Sequence, residues 1–169
     1  MRELVLGGAR SGKSGYALRR ARESGLPVLF IVTAQARDAE MAERIAKHRA
    51  ERPGEWQVIE APLDLPDAIA RADASPACIV VDCLTLWLSN LMCEPTRNAA
   101  AAADELIEAA SRVRNSIHLV SNEVGWGIVP DNALARAFRD EAGRLHQRLA
   151  EVCERVTLVV AGLPLSLKT

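Results

Sequence analysis

The residues best suited to chemistry stand close to the start of the chain, where a glycine-rich segment leads into a lysine and a serine. Residues 7–14 read GGARSGKS and match the pattern G-x-x-x-x-G-K-[ST] at every fixed position. Glycines let the backbone curl so that consecutive N–H groups point inward, and a following helix adds its positive N-terminal end. Lys13 can reach the β- and γ-phosphates of a nucleotide, and the Ser14 hydroxyl can bind Mg²⁺. The segment therefore predicts a phosphate-binding loop for ATP or GTP, formed by Gly7, Gly8, Ala9, Arg10, Ser11, Gly12, Lys13 and Ser14.

The sequence around this segment distinguishes such a loop from a chance match, which would be a glycine-rich turn with a lysine on a helix. Leu4, Val5 and Leu6 form an apolar run that predicts a buried strand immediately before the loop. Residues 13–23 have helical periodicity immediately after it. A strand before the glycines and a helix after them is the context in which this motif binds phosphates.

A magnesium site at such a loop needs a carboxylate, and Asp82 is the candidate because it ends the apolar run CIVV at 78–81. The alternative is that Asp82 caps the N-terminus of a helix that begins near Leu84, a role that aspartate often has. The sequence alone favours metal binding by Ser14 and Asp82 but leaves capping open.

His48 is the second residue that could do chemistry, because it lies within a cluster of cations. Residues 38–52 have helical periodicity, in which Met41, Ile45 and His48 share one face. A lone histidine on an apolar face is usually a core residue, so periodicity by itself favours a structural role. The surrounding cations could nevertheless neutralise a triphosphate; they are Arg44, Lys47, Arg49 and Arg52.

The composition excludes several classes of protein. A length of 169 residues suits one domain, and we expect that domain to span 1–169. The net charge of −1 and the scarcity of aromatic residues argue against nucleic-acid binding. No apolar run reaches the eighteen or so residues of a membrane span, and the N-terminal segment enters the motif without room for a signal peptide. The cysteines lack zinc-site spacing, so we expect a reduced, cytoplasmic enzyme.

Strand and helix patterns alternate along the whole chain, and the strands are almost continuously apolar. This arrangement is typical of a mostly parallel sheet that helices cover on both faces. The expected fold is therefore an α/β, single-domain P-loop NTPase of the RecA-like type. Further strands are predicted at 28–32, 57–60, 77–81, 117–120, 156–160 and 163–167, and further helices at 38–52, 65–72, 84–92, 98–113 and about 131–153. Asp131 could cap the last of these helices.

Four further stretches, together with GGARSGKS, resemble one enzyme family over essentially the whole chain. They are DAEMAERIAKHRAERP, VDCLTLWLSNLM, VSNEVGWGIVP and GRLHQRLAEVCERVTLVVAGLPLSLK. In this order they closely resemble the bifunctional adenosylcobinamide kinase/adenosylcobinamide-phosphate guanylyltransferases of cobalamin biosynthesis. One departure is His146, where members of that family mostly have asparagine; it lies outside the nucleotide motifs.

The resemblance implies two reactions. The first phosphorylates the aminopropanol hydroxyl of adenosylcobinamide with ATP or GTP, and the second transfers GMP from GTP to that phosphate through a covalent histidine intermediate. The position of that histidine corresponds to His48, and Mg²⁺ and a homotrimer are also implied. Besides the loop, the nucleotide-binding positions carry over to Val32, Thr33, Ala34, Arg49, Ala50, Glu51, Arg52, Glu60 and Asp82.

Several residues keep two interpretations. Glu60 could bind the ribose or guanine or could be a solvated strand end, and the resemblance favours binding. Asn122 and Glu123 could hold Mg²⁺-bound phosphates or the corrinoid arm, or could belong to a turn built on glycines. Trp87 is interpreted as core or a subunit contact, and His118 and His146 as structural.

Two rival functions remain at this stage. One is a P-loop small-molecule kinase in which His48 is merely structural. The other is a nucleotide-sensing regulatory module that binds GTP without transferring phosphate. A nucleic-acid-dependent ATPase is a more distant third, since the charge is nearly neutral.

Overall fold

The computed structural model describes residues 1–35, 39, 43, 54 and 56–169. The helix expected at 38–52, with His48 and the positions Arg49 to Arg52, falls almost entirely outside the described residues. The described strands are β1 (Arg2–Gly7), β2 (Val28–Val32), β3 (Gln57–Glu60), β4 (Cys78–Asp82), β5 (Ser116–Asn122), β6 (Arg155–Val160) and β7 (Leu163–Lys168). The helices bounded within the described residues are α1 (Lys13–Glu23), α2 (Leu65–Ala72), α3 (Leu84–Met92), α4 (Ala99–Arg112) and α5 (Ala133–Val152).

The seven strands form one sheet in the order β3-β2-β4-β5-β1-β6-β7. The first six strands are parallel, and β7 runs antiparallel to β6. Strand β5 therefore lies between β1, which leads into the glycine-rich loop, and β4, which ends at Asp82. The expected α/β fold with a mostly parallel sheet is confirmed.

The alternation of side chains along β1 divides the core into two layers. Leu4 and Leu6 belong to the larger apolar cluster, which includes side chains from α2, α3, α4 and α5. Val5 points to the other face and packs with Tyr16 and Ala17 of α1. Both faces of the strand are buried, which explains why its sequence is apolar throughout.

Two details of the helices differ from or refine the sequence interpretation. The expectation that Asp131 caps the last long helix is wrong, because the cap is Asn132, whose side chain accepts a hydrogen bond from the Ala135 N–H at 2.7 Å. Trp87 is fully buried and donates its indole N–H to the Leu63 carbonyl at 2.9 Å, so it is a core residue. No helix in the described part of the chain is long and apolar enough to cross a membrane.

A charged side chain that the sequence interpretation overlooked lies in the centre of the sheet. Glu3 of β1 is fully buried and faces His118 of β5, with 2.8 Å between Glu3 Oε2 and His118 Nδ1. Its Oε1 accepts hydrogen bonds from the hydroxyls of Tyr16, at 2.9 Å, and Thr157, at 2.7 Å. The group therefore joins α1 to three neighbouring strands, and His118 has the structural role expected of it.

The ionisation of this group depends on its partners. Burial opposes the charge of Glu3, but the hydrogen bonds from His118, Thr157 and Tyr16 outweigh burial and lower the pKa of Glu3 to about 2. Burial also opposes protonation of His118, but its hydrogen bonds to Cys78 and Glu3 raise the pKa of His118 above its ordinary value. The pair is therefore held as carboxylate and imidazolium.

These shifts predict how stability varies with pH. The contribution of Glu3 to the free energy of unfolding is fully present above about pH 4.5 and is lost as the pH falls toward 2. The contribution of His118 is fully present below about pH 6.5 and is lost as the pH rises through its raised pKa. Glu3→Gln should lower the free energy of unfolding by about 3–5 kcal/mol, because it leaves His118 buried without its counter-charge. Urea unfolding between about pH 2 and pH 9 measures both effects.

Asp104→Asn is the control for this prediction, because it removes the exposed ion pair between Asp104 and Arg148. It should change stability little at any pH. Equal pH profiles for Glu3→Gln and the wild-type protein would contradict the assignment of the pH dependence to this pair.

Candidate nucleotide site

The glycine-rich loop leaves the carboxyl end of β1 and enters α1 through a tightly curled backbone. Arg10 and Gly12 both have positive φ angles, of 55° and 95°. The Ser11 N–H donates to the Gly8 carbonyl at 3.2 Å, and the Lys13 ammonium donates to the same carbonyl at 3.1 Å. The predicted strand-loop-helix arrangement around Gly7 to Ser14 is therefore present.

Two of the glycines are required by close approach of the backbone. A Cβ at Gly7 would lie 2.6 Å from the Val159 carbonyl oxygen and would overlap the Ser11 hydroxyl. A Cβ at Gly12 would lie 3.0 Å from the Gly162 Cα, and the positive φ of Gly12 already disfavours a side chain. The Gly162 N–H donates to the Ser11 carbonyl at 2.8 Å, so the turn between β6 and β7 is hydrogen-bonded to the loop.

The first turn of α1 has the features of an anion-binding helix terminus. Gly12 caps it without a side-chain hydrogen bond, and its first turn carries no acidic residue. Its leading N–H groups are therefore available to an anion, which the helix dipole also attracts. Lys13 is buried to 8% exposure and Ser14 is half-buried, so both lie at the loop rather than on the open surface.

Asp82 lies at the same edge of the sheet, where β4 ends. The N-cap position of α3 belongs to Cys83, so the alternative that Asp82 caps this helix is wrong. Burial, and after it the negative charge of Asp82, raise the pKa of the Cys83 thiol to about 11, while the positive charge of Lys13 opposes this shift. Asp82 and Lys13 both act on the charge of this thiol, and Asp82 is in register, through Val120 of β5, with Val5 of β1, two residues before the loop.

Thr33 and Asn90 tie the ends of three strands together. The Thr33 hydroxyl donates to the Cys83 carbonyl at 2.7 Å and accepts from the Cys83 N–H at 3.0 Å. The Asn90 amide donates to the carbonyls of Thr33, at 2.8 Å, and Pro62, at 3.1 Å. Both hydrogen bonds of the Thr33 hydroxyl are therefore made to the backbone of Cys83. Val32 and Ala34, on either side of Thr33 in the sequence, are half-buried.

Glu60 does not approach the loop. Its register partner on β2 is Val32, which in turn pairs with Asp82 on β4, so the three residues form a row across the sheet. Strand β3 is four strand spacings from β1, which is roughly 19 Å at the usual interval. Glu60 is exposed at this distance, and the connection that contains His48 and Arg49 to Arg52 leaves β2 at the same edge of the sheet.

The end of β5 brings a further carboxylate next to the loop. Gly7 pairs with Asn122, and the Glu123 N–H donates to the Gly7 carbonyl at 3.0 Å. The sequence indicated Asn122 and Glu123 as residues at the ligand-binding edge, and both are half-buried there. His146 lies behind Glu123, with its Nδ1 3.7 Å from Glu123 Oε2.

Sequence reasoning missed the hydrogen bonds that hold this region. His146 is buried, and its Nε2 lies 2.7 Å from the Ser121 hydroxyl. That hydroxyl is 3.1 Å from the Thr85 hydroxyl, which accepts the Asn122 N–H at 2.7 Å. Burial lowers the pKa of His146, although Glu123 opposes this shift, so the imidazole is neutral near pH 7. Polar residues at one end of an apolar strand, SN after HLV, were the available signal.

The mostly parallel sheet, the curled loop after β1 and the carboxylate of Asp82 beyond the neighbouring strand β5 define a P-loop NTPase fold. The RadB recombinase has a similar fold, with a TM-score of 0.55 and 17% identity over 93% of this chain and 73% of that one.

The family model described as "Cobinamide kinase / cobinamide phosphate guanyltransferase" matches residues 3–167. The chain is 52% identical to the bifunctional adenosylcobalamin biosynthesis protein CobP of Pseudomonas aeruginosa, over 99% of this chain and 98% of that protein. It is 42% identical to the bifunctional adenosylcobalamin biosynthesis protein CobU of Salmonella typhimurium, over 98% of each. The chain belongs to this family of cobinamide kinases and cobinamide phosphate guanylyltransferases.

The geometry of the loop predicts opposite effects for two glycines. Gly12→Ala should lower the free energy of unfolding by about 1–2 kcal/mol and weaken nucleotide binding, because its backbone is left-handed and its Cβ would press on Gly162. Gly15→Ala is the matched control: it is helical, and its Cβ would meet no atom within 4 Å, so helix propensity should stabilise the protein by up to about 1 kcal/mol. Thermal unfolding and titration with ATP measure both. Equal effects of the two variants would contradict the loop assignment.

Proposed function

We propose that this enzyme phosphorylates the aminopropanol hydroxyl of adenosylcobinamide with ATP or GTP and then transfers GMP from GTP to that phosphate. The products of the second reaction are adenosylcobinamide-GDP and pyrophosphate. The observation that carries the proposal is the curled loop from Gly7 to Ser14, which places Lys13 and the open end of α1 in the neighbourhood of Asp82. Membership of the family supports the choice of cobinamide as substrate.

In the kinase step, this geometry suits positioning and charge stabilisation. Backbone N–H groups of the loop surround the phosphates, and Lys13 neutralises charge that develops as the γ-phosphoryl group leaves the nucleotide. The other loop residues fix this arrangement, since Gly7 and Gly12 allow the close turns against β6 and the turn that follows it. The acceptor hydroxyl attacks the γ-phosphorus from the side opposite the leaving group.

Ser14 and Asp82 are suited to bind the Mg²⁺ ion that accompanies a nucleoside triphosphate. A hydroxyl and a carboxylate are hard oxygen donors of the kind this ion prefers, and Mg²⁺ at P-loops keeps several waters and phosphate oxygens as its other ligands. When bound, the ion supplies positive charge to the β- and γ-phosphates. Asp82 ends β4 and is partly exposed to solvent.

In the guanylyl step, we assign the covalent intermediate to His48. The chain has three histidines, and the other two are unsuited to attack a nucleotide. His118 is 1% exposed and bound to Glu3, while His146 is 7% exposed and bound to Ser121. In the sequence, His48 stands in the connection after β2, next to Lys47 and close to several arginines that could neutralise the triphosphate.

The remaining nucleotide positions complete the proposal. Val32 ends the second strand and Thr33 and Ala34 follow it, while Glu60 ends the third strand. Arg49, Ala50, Glu51 and Arg52 follow the nucleophile in the sequence. Since the Thr33 hydroxyl is bound to Cys83, we propose that this segment contacts the nucleotide through its backbone or Ala34.

We further propose a cytoplasmic homotrimer. Leu163, Leu165 and Leu167 alternate along β7, so their side chains share one face of the edge strand, and each is more than half exposed. A contiguous apolar face of this kind is typical of a protein interface. All four cysteines are free thiols, which suits a reducing compartment.

The Mg²⁺ assignment predicts a specific defect in Asp82→Asn. This change preserves the size of the side chain but removes the charge, so kinase turnover should fall by at least tenfold and the Mg²⁺ concentration for half-maximal rate should rise. Asp67→Asn, on the exposed first turn of α2, is the matched control. Unchanged Mg²⁺ dependence in a folded Asp82→Asn protein would refute the metal role.

The histidine assignment predicts covalent labelling. GTP labelled at the α-phosphate should leave acid-labile, base-stable label on the denatured protein, as expected of a phosphoramidate. His48→Asn should abolish this label and the guanylyl transfer, while kinase turnover persists because γ-phosphoryl transfer at a P-loop needs no imidazole. Label that a folded His48→Asn protein retains would disprove the assignment. Loss of both activities together with thermal stability would instead indicate a structural role.

A further inference from the structure

Glu123 lies beside the first residue of the loop, at the edge of the sheet where β1, β5 and β4 end. Its strand, β5, lies between the strand that leads into the loop and the strand that ends at Asp82. Its backbone N–H is bonded to Gly7, the first residue of the loop, and its side chain is 20% exposed. A donor from solvent can therefore reach this carboxylate beside the phosphate site.

The two carboxylate oxygens of Glu123 have different surroundings. Oε1 accepts the Gly125 N–H at 2.7 Å, which fixes the side chain in a tight turn. Oε2 is 3.7 Å from His146 Nδ1, a separation longer than a hydrogen bond. Among the described residues, this ion-pair contact is the one recorded for Oε2, and a fifth of the Glu123 side chain is exposed to solvent.

His146 is itself held in one orientation by hydroxyl groups. Ser121 of β5 binds its Nε2, and Thr85 of α3 binds Ser121. The Thr85 hydroxyl also accepts the Asn122 N–H, so the chain of hydrogen bonds is anchored on the backbone. The imidazole therefore presents its Nδ1 edge toward Glu123 from a fixed position.

The acidic residues at this edge of the sheet have different capacities to accept a proton. Glu60 is roughly 19 Å from β1, which is too far to contact a hydroxyl at the loop. Asp82 is the proposed Mg²⁺ ligand, and a carboxylate bound to a cation is a weak base. Glu123 is adjacent to the loop, faces a histidine that burial keeps neutral, and is partly exposed to solvent.

We propose that Glu123 accepts the proton of the cobinamide hydroxyl in the kinase step and that His146 positions its carboxylate. This inference rests on the proposed kinase function. The hydroxyl oxygen forms a bond to the γ-phosphorus of ATP or GTP, and the bond from that phosphorus to the β–γ bridging oxygen breaks. The nucleoside diphosphate leaves with that oxygen, and the proton passes to Glu123 Oε2 and then to solvent.

The test compares Glu123→Gln with the wild-type protein in both reactions, with Glu151→Gln, an exposed change on α5, as the matched control. Glu123→Gln should lower kcat of cobinamide phosphorylation at least a hundredfold, the usual minimum for loss of a general base. Its KM for the nucleotide and its labelling by α-labelled GTP should stay within about threefold of the wild-type values, since neither needs this proton transfer.

The outcomes separate this inference from the proposed function. Kinase turnover of a folded Glu123→Gln protein within threefold of the wild-type value would overturn the inference while leaving the function intact. Loss of both turnover and labelling in a folded variant would also overturn it, because Glu123 would then contribute to nucleotide binding. A wild-type protein that neither phosphorylates cobinamide nor becomes labelled would refute the proposed function itself.

The positioning role of His146 has its own readout. His146→Leu should lower kinase kcat at least tenfold, and His146→Asn should recover most of that loss, because an amide N–H can still face the carboxylate. In this part of the structure Glu123 is the ionisable group that acts on His146, and β5 and α3 present only the hydroxyls of Ser121 and Thr85.

Protonation of His146 would pair it with Glu123, so the acid limb of the pH–kcat profile should be steeper for the wild-type protein than for His146→Asn. Identical profiles in these two proteins, or equal kcat in the Leu and Asn variants, would overturn the positioning role. Thermal unfolding of each variant confirms that the comparison is made on folded protein.

Discussion

The parallel pairing of β1 with β5 is the constraint on which the other features of the site depend. In this register Glu3 faces His118 and, four residues later, Gly7 faces Asn122. A parallel sheet buried on both faces fixes its register strongly, because a slip of one residue would turn every side chain to the opposite layer. Here such a slip would also separate the buried carboxylate from its imidazole and the phosphate loop from Glu123. One alignment therefore determines both the stability of the core and the geometry of the site.

The buried pair of Glu3 and His118 stabilises the strand that carries the loop. Each member would be costly alone in the apolar layer under α1, and the hydroxyls of Tyr16 and Thr157 occupy the remaining oxygen of the carboxylate. Since Tyr16 belongs to the helix that begins at Lys13, the same bonds fix α1 against the sheet. The N-terminal end of α1 is thus held in place from inside the core, which suits a site that works by fixed dipoles and charges.

The sequence predicted most of the fold because its signals are local. Apolar runs, several of them bounded by Gly or Pro, located most of the described strands, and the motif context located the loop around Lys13. The cap at Asn132 was missed because Asp131 beside it is an equally good capping residue, and only the backbone geometry distinguishes them. Glu3, Ser121 and Thr85 were missed for another reason: their roles arise from pairing across strands and from helix packing, which sequence periodicity does not encode.

The polar groups at the carboxyl edge of the sheet form two layers, which differ in how deeply they are buried and in how many hydrogen bonds they make within the protein. Below the edge, Thr33, Asn90, Ser121 and Thr85 bind one another or the strand ends. Removal of any one of these partners would leave a buried polar group unpaired at a cost of about 1–3 kcal/mol. Above them lie the half-buried carboxylates of Asp82 and Glu123 and the N-terminal end of α1. The hydrogen bonds of the lower layer hold the charged groups above it in one arrangement. Phosphoryl transfer depends on such a fixed arrangement, because catalysis there is mainly positioning and charge stabilisation.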